Sequence, residues 1–566
     1  MVPHDFYAII LPNYLNYQPV KRLKLISAFI LILAMGGPSC QKFNLNTDDL
    51  NIRLDMNIIK THLIADFRDA KTGLLIGEND NSKVSIYIIG DDSRSVVNSK
   101  GYRITETNSA GGYATFGFDP YQAKPSGADT VRVTLMAELN GYVSTSVPIV
   151  FTSEGQKYVT VFMVNKVTPP AGVAISPNMS VGSASGGKVS NAFTASTPDK
   201  SVEVNVPAGM TILDAKGNPL QGKLDLTFVQ ADPTKIGAAR SFPGGLACEA
   251  TTETGSKINT SFAPAGFFKI DISDESGRHG AFFSEGTMEV NTKIGPSVIN
   301  PETGQPYNTG DKIGFWNLEE KTGQWNFVEN ITVGLDPREI KSNLSGWASG
   351  FGSNFLLAKF EPVTCAGTIT YNFVNINAFI SSGESAEFDI EITGPDGLWV
   401  YSGHIVAGRY VTTEFGNMKQ GFHTIQFSYN GDRQLANSAW ITANNQPVYF
   451  CGPVQPTIKL LLNSAVGRSI TFNAVVSCTN RTGEMTVPSG TLLHFREKGT
   501  SQWTTVATNG RQVVLPGMII DKTYEFQILY DEEWTPASPY EYTLRPSDDV
   551  YNPYSRSISL SIDCGN

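Results

Sequence analysis

Apolar residues recur at every second position along most of this chain, and that alternation limits what it can fold into. Leu54, Met56 and Ile58 alternate with polar residues, as do Val131, Val133 and Leu135, and again Val202, Val204 and Val206. Successive side chains of a strand point to opposite faces, so a period of two marks a strand with one buried face. Turn-forming clusters separate these runs, and 53 glycines and 31 prolines supply them. Beyond one segment near the start, no apolar stripe at helical spacing stands out. Many short strands with frequent turns predict an all-β chain of tandem antiparallel β-sandwiches. A length of 566 residues has room for roughly three to five domains of ordinary size.

The one exception to the alternation is also informative. Lys21, Arg22 and Lys24 are positive, Leu25 to Met35 are almost wholly apolar, and Gly36, Gly37 and Ser39 are small. A positive region, a short apolar core and a small-residue site make a secretory signal. The run is shorter than the roughly twenty apolar residues that span a bilayer. Cys40 follows directly, and this arrangement resembles the lipobox of bacterial lipoproteins. The resemblance implies that Cys40 is diacylated and becomes the mature N-terminus, with the rest of the chain outside the cytoplasm. The other reading is an ordinary secretory signal with an incidental cysteine. "QKFNLNTDDLN" (41–51) is a polar tether, and it resembles surface-export signals of lipoproteins in Bacteroidetes-type bacteria.

This division gives a signal peptide over 1–39, a lipidated tether over 40–52 and a first module over 53–167. "DFRDAKTGLLIG" (66–77), "VSIYIIG" (84–90), "TNSAGGYATFGF" (107–118) and "LNGYVSTSVPI" (139–149) follow one another in that module. Their order resembles the carboxypeptidase regulatory-like, or transthyretin-like, fold. Gly73, Gly112 and Gly141 then serve tight turns that require positive φ. "TPPAGVAISPNMSVGSASGGK" (168–188) has the composition of a linker or long loop. It opens a region over 168–362 that resembles extracellular β-sandwich segments of bacterial surface proteins and of cartilage-matrix-type proteins. There Trp316 and Trp325 flank a hairpin turn, where packing is the stronger reading against ligand contact.

The last third divides into an immunoglobulin-like domain (363–455) and a final domain (456–566). "HFREKGTSQWTTV … LPGMIIDKTYEFQI" in the latter resembles fibronectin type III and related immunoglobulin-like domains. Tyr524 matches the tyrosine whose hydroxyl pins a corner there. Cys365 and Cys451 bracket one domain, and Cys478 and Cys564 the other. Each lies on the inward parity of its strand pattern, and an exported chain permits disulfides. The expected pairs are Cys365–Cys451 and Cys478–Cys564; buried free thiols are the alternative.

The sequence presents no catalytic constellation. The six histidines are scattered, with no zinc-binding helix motif, no Cys-x-x-Cys, no nucleophile elbow and no phosphate-cradling loop. His423 and His494 lie within strand patterns, as structural histidines do. "DISDESGRHG" (271–280) gathers carboxylates but lacks EF-hand spacing, so a solvated hairpin turn is preferred to a calcium loop. Asp531, Glu532 and Glu533 are taken as ordinary loop charges. No metal, cofactor or catalytic residue is expected, and a formal net charge of −10 argues against nucleic acid. The expectation is a non-enzymatic outer-membrane or surface lipoprotein in binding, adhesion or envelope structure. Its partners are the membrane, through the lipid anchor, and a glycan or another surface protein. The alternative is a glycan-binding lipoprotein of a polysaccharide uptake system. Trp534, in "LYDEEWTPASPY", is the candidate ligand platform, set against a partly buried anchor.

Overall fold

A computed structural model describes residues 53–562 with interruptions, the longest at 375–386, 430–445 and 546–556. The signal-like segment, Cys40, the tether and Cys564 lie outside the described residues. The described regular structure is almost wholly strand, gathered into multiple, mainly antiparallel sheets. No described helix is long and apolar enough to cross a membrane.

The first sandwich has two four-stranded sheets. His62–Asp69 lies between Tyr113–Phe118 and a parallel neighbour, Gln156–Met163. In the facing sheet Ser85–Ile89 and Val131–Glu138 are central. Phe67, Ile86, Phe116, Val133 and Leu135 share the core between them. The turns at Gly73, Gly112 and Gly141 have φ of 73°, 84° and 87°, as their turn chemistry requires.

The stretch expected to be a linker is a long strand, Val173–Ser185. It pairs antiparallel with Gly222–Ala231, with register shifts between Ser176 and Met179 and between Ser180 and Gly182. Such bulges let a paired strand carry Pro177 and Gly182, the residues that made the segment read as a loop. The strand belongs to a ten-stranded sheet whose far end closes on itself. Ala247–Thr251 pairs both with Lys257–Asp274 and with Gln324–Thr332, completing a ring through Lys312–Glu319 and Ser353–Phe360. Trp316, Trp325 and Phe262 are buried in one core. The Trp316 indole N–H donates to the Ala358 carbonyl at 3.1 Å. Packing accounts for both tryptophans. A four-stranded sheet containing Val202–Val206 contributes Val202, Val204 and Val206 to a second core with Leu226, Phe228 and Ile270.

Residues 364–461 form a three-stranded and a four-stranded sheet. Thr457–Leu461 runs parallel to Thr364–Val374, so this region extends past the expected boundary at 455. In the last region Phe472, Val476, Leu493, Leu515, Phe526 and Leu560 build the core. Tyr524 is buried there, and its hydroxyl accepts the backbone N–H of Ile519 at 2.8 Å. Its resemblance-based role as a corner pin is therefore met in geometry. The short strand Arg53–Asp55 departs from expectation. It runs parallel to Glu484–Thr486, with Arg53 opposite Glu484, and so joins the last region rather than the first. Local alternation marks a strand but not its partner, which here lies more than four hundred residues away in the chain.

Candidate functional site

Trp534 sits on the strand Glu533–Thr543, not in a loop. The hairpin turn before it is Asp531–Glu532, and both residues have positive φ, 54° and 64°. A two-residue turn of this hand matches strand twist but strains residues that carry a Cβ. The two side chains reach the first sandwich: Lys100 donates to Asp531 at 2.6 Å, and the Thr107 hydroxyl donates to Glu532. They are turn residues at a contact between regions, rather than ordinary loop charges.

The same contact engages the Trp534 ring. His494 stacks on it, with centroids 3.3 Å apart and planes 15° apart, and Tyr113 of the first sandwich meets it edge-on at 6.3 Å. Trp503 stacks on His494 in turn, and the Arg496 guanidinium lies over Trp503. Gly111 lies against the indole; a β-carbon there would come 2.9 Å from its Nε1, and φ is +56°. Only glycine permits that approach without strain. Ile64, Ala110 and Tyr113 from the first sandwich and Leu492 and Leu529 from the last form one small core around it. His62 is buried nearby, against Gly490 of the last region. Burial, and secondarily the charge of Lys60, lowers its pKa to about 4.

A different aromatic pair faces outward. Gly421–Tyr429 and Gln446–Phe450 are antiparallel neighbours, with Phe422 directly opposite Tyr449. His423 and Ile425 are wholly buried, so Phe422 and Thr424 point the other way. Phe422 is 64% exposed and Tyr449 40%. Their ring centroids are 4.9 Å apart with planes at 72°, which makes an open corner. The Gln420 amide donates to the Tyr449 hydroxyl at 3.3 Å. That bond orients the phenol and leaves its own O–H to donate elsewhere. The sequence carried the signal for this pair: Ile425 sets the inward parity, and Phe422 falls on the opposite one.

The remaining predicted residues take plainer places. Asp274 closes the turn of "DISDESGRHG", accepting from Ser276, Arg278 and the Gln221 backbone. Burial pushes its carboxyl up, but those hydrogen bonds outweigh it and hold the pKa at about 2. Among the described residues no group of three or more His, Cys, Asp or Glu could hold a metal ion. His423 is buried, with Nδ1 donating to the Gly421 carbonyl at 3.1 Å. Cys451 is disulfide-bonded. Cys365 lies on Thr364–Val374, and Cys478 ends Arg468–Cys478 opposite Ile562 in a parallel neighbour.

No protein-family model and no curated protein matches the chain. Solved structures similar to parts of it include a streptococcal ancillary pilin, 11% identical, covering 46% of this chain and 95% of the pilin at a TM-score of 0.13. The Bacillus anthracis TIE protein is 11% identical and covers 70% of this chain and 76% of its own, at 0.13. The SpaE basal pilin of Lactobacillus rhamnosus GG is 10% identical and covers 34% and 89%, at 0.11.

Proposed function

We propose that this chain is a non-enzymatic bacterial surface lipoprotein, held in the outer membrane by lipid on Cys40, that works in binding, adhesion or envelope structure. The observation that carries this reading is the outward Phe422–Tyr449 pair, displayed on a sheet whose other face is packed. Two adjacent aromatic rings left in water are unfavourable for the isolated fold and useful to a partner. The signal-like segment ending at Cys40 supports the location. The pairs Cys365–Cys451 and Cys478–Cys564 fit an exported protein, with Cys451 in a disulfide and Cys478 in register with the strand that runs toward Cys564. The same aromatic pair favours the second reading, a glycan-binding lipoprotein of a polysaccharide uptake system.

Metabolic labelling with a fatty acid tests the anchor: Cys40→Ser should abolish incorporation and release the chain from membranes, and unchanged labelling would overturn it. The released Cys40→Ser chain should then be retained on immobilised cell envelopes, extracellular protein or polysaccharide without altering them. Steady release of reducing ends from a polysaccharide would overturn the non-enzymatic reading.

A further inference from the structure

We infer that the corner formed by Phe422 and Tyr449 is a binding site for the pyranose units of an uncharged polysaccharide, an inference that rests on the binding role proposed above. The geometry first restricts the size of the occupant. Two aromatic side chains offer a few hundred Å² of contact at most, whereas a stable protein partner needs about 800 Å² on each side. One or two sugar rings fit the smaller scale.

The chemistry then restricts its kind. A pyranose presents a face of C–H groups bordered by hydroxyls. An aromatic ring receives the face, and short polar side chains receive the rim. Phe422, 64% exposed, supplies an open ring. Tyr449 stands beside it at 72°, so a ring lying on Phe422 would meet the Tyr449 edge and its hydroxyl. Because the Gln420 amide donates to that hydroxyl, the phenol is held in place while its proton stays available to a ligand oxygen. Thr424 is exposed two residues along the same face from Phe422. Thr393 lies opposite Thr424 on the next strand and is half-buried. These described side chains carry no charge. Stacking with neutral donors and acceptors therefore selects a neutral glycan over an anionic one, which would look for Arg or Lys.

The test uses the whole Cys40→Ser chain in affinity electrophoresis through gels containing a neutral β-glucan, a xylan, a mannan, or the anionic polysaccharides alginate and pectate. At least one neutral polysaccharide should retard the protein. Phe422→Ala should weaken that retardation about tenfold or more, as loss of an aromatic hot spot does. Tyr449→Phe should weaken it by a smaller factor by removing the donor, and both variants should keep the wild-type melting temperature. Equal retardation of wild type and Phe422→Ala would overturn this site while leaving a binding function in place. Retardation by the anionic gels alone would overturn the ligand class. Capture of cell-surface protein, with no retardation in any gel, would overturn the glycan inference but uphold the binding role. Failure in every gel and on whole envelopes would overturn both.

Discussion

Two aromatic clusters in this molecule are built from similar residues and meet opposite fates. At the contact between the first and last regions, Trp534 is stacked on His494 and capped by Tyr113 and Gly111. On the sheet near residue 449, Phe422 and Tyr449 touch each other, Gln420 bonds the phenol, and both rings stay open to solvent. Trp534, the candidate platform among acidic and proline residues, is packed as the partly buried anchor set against that reading, and Phe422, within a regular strand, is the exposed ring. Composition of the neighbourhood predicts exposure poorly; strand parity and the partner across the contact decide it.

The comparison implies that the first cluster serves stability and the second does not, and three measurements can break it. The largest effect is expected with pH. His62 has a folded pKa of about 4 against an ordinary 6.5, so the unfolded chain binds its proton more readily. Its contribution is fully present above pH 6.5 and is lost progressively as pH falls toward 4, on the order of 3 kcal/mol in all. Urea unfolding of wild type and His62→Asn at pH 7 and pH 4.5 should show a steeper loss in wild type. Parallel losses would mean that His62 is not held neutral by the contact.

Next comes Trp534→Ala. It removes a large, partly buried ring from between two regions, and a cost of about 2–3 kcal/mol is expected, toward the low end for a Trp in a core. The drop in melting temperature should come without any change in polysaccharide retention. If stability is unchanged and retention falls, the two clusters have been assigned the wrong way round. The smallest effect belongs to Phe422→Ala, which should shift stability by no more than about 0.5 kcal/mol, as surface substitutions do. A loss of 2 kcal/mol or more, of the size that a buried ring gives, would show that Phe422 is covered in the intact protein.

Much of the fold was legible locally. The alternating Val202, Val204 and Val206 are buried on one face, and Trp316 and Trp325 pack inside a closed ring of strands. Tyr524 makes the hydrogen bond that its motif implied. The errors share a cause. Residues 168–188 read as a linker because proline and glycine disrupt local pattern, yet bulges absorb them within a paired strand. Asp531 and Glu532 read as loop charges because nothing nearby in sequence names Lys100 or Thr107 as their contacts. The outward parity of Phe422 is written in the sequence, because it is out of phase with the buried Ile425.

By itself, then, the sequence determined the all-β class, the turn positions and which face of most strands turns inward, because these follow from backbone geometry over a few residues. Strand partners were decided only by the tertiary structure. Arg53–Asp55 lies beside Glu484–Thr486, and the first sandwich meets the last through Tyr113, His494 and Trp534. Pairing and docking depend on which surfaces close over each other after the chain has collapsed. The free energy of those contacts is shared between residues hundreds of positions apart, so no local window of sequence contains it.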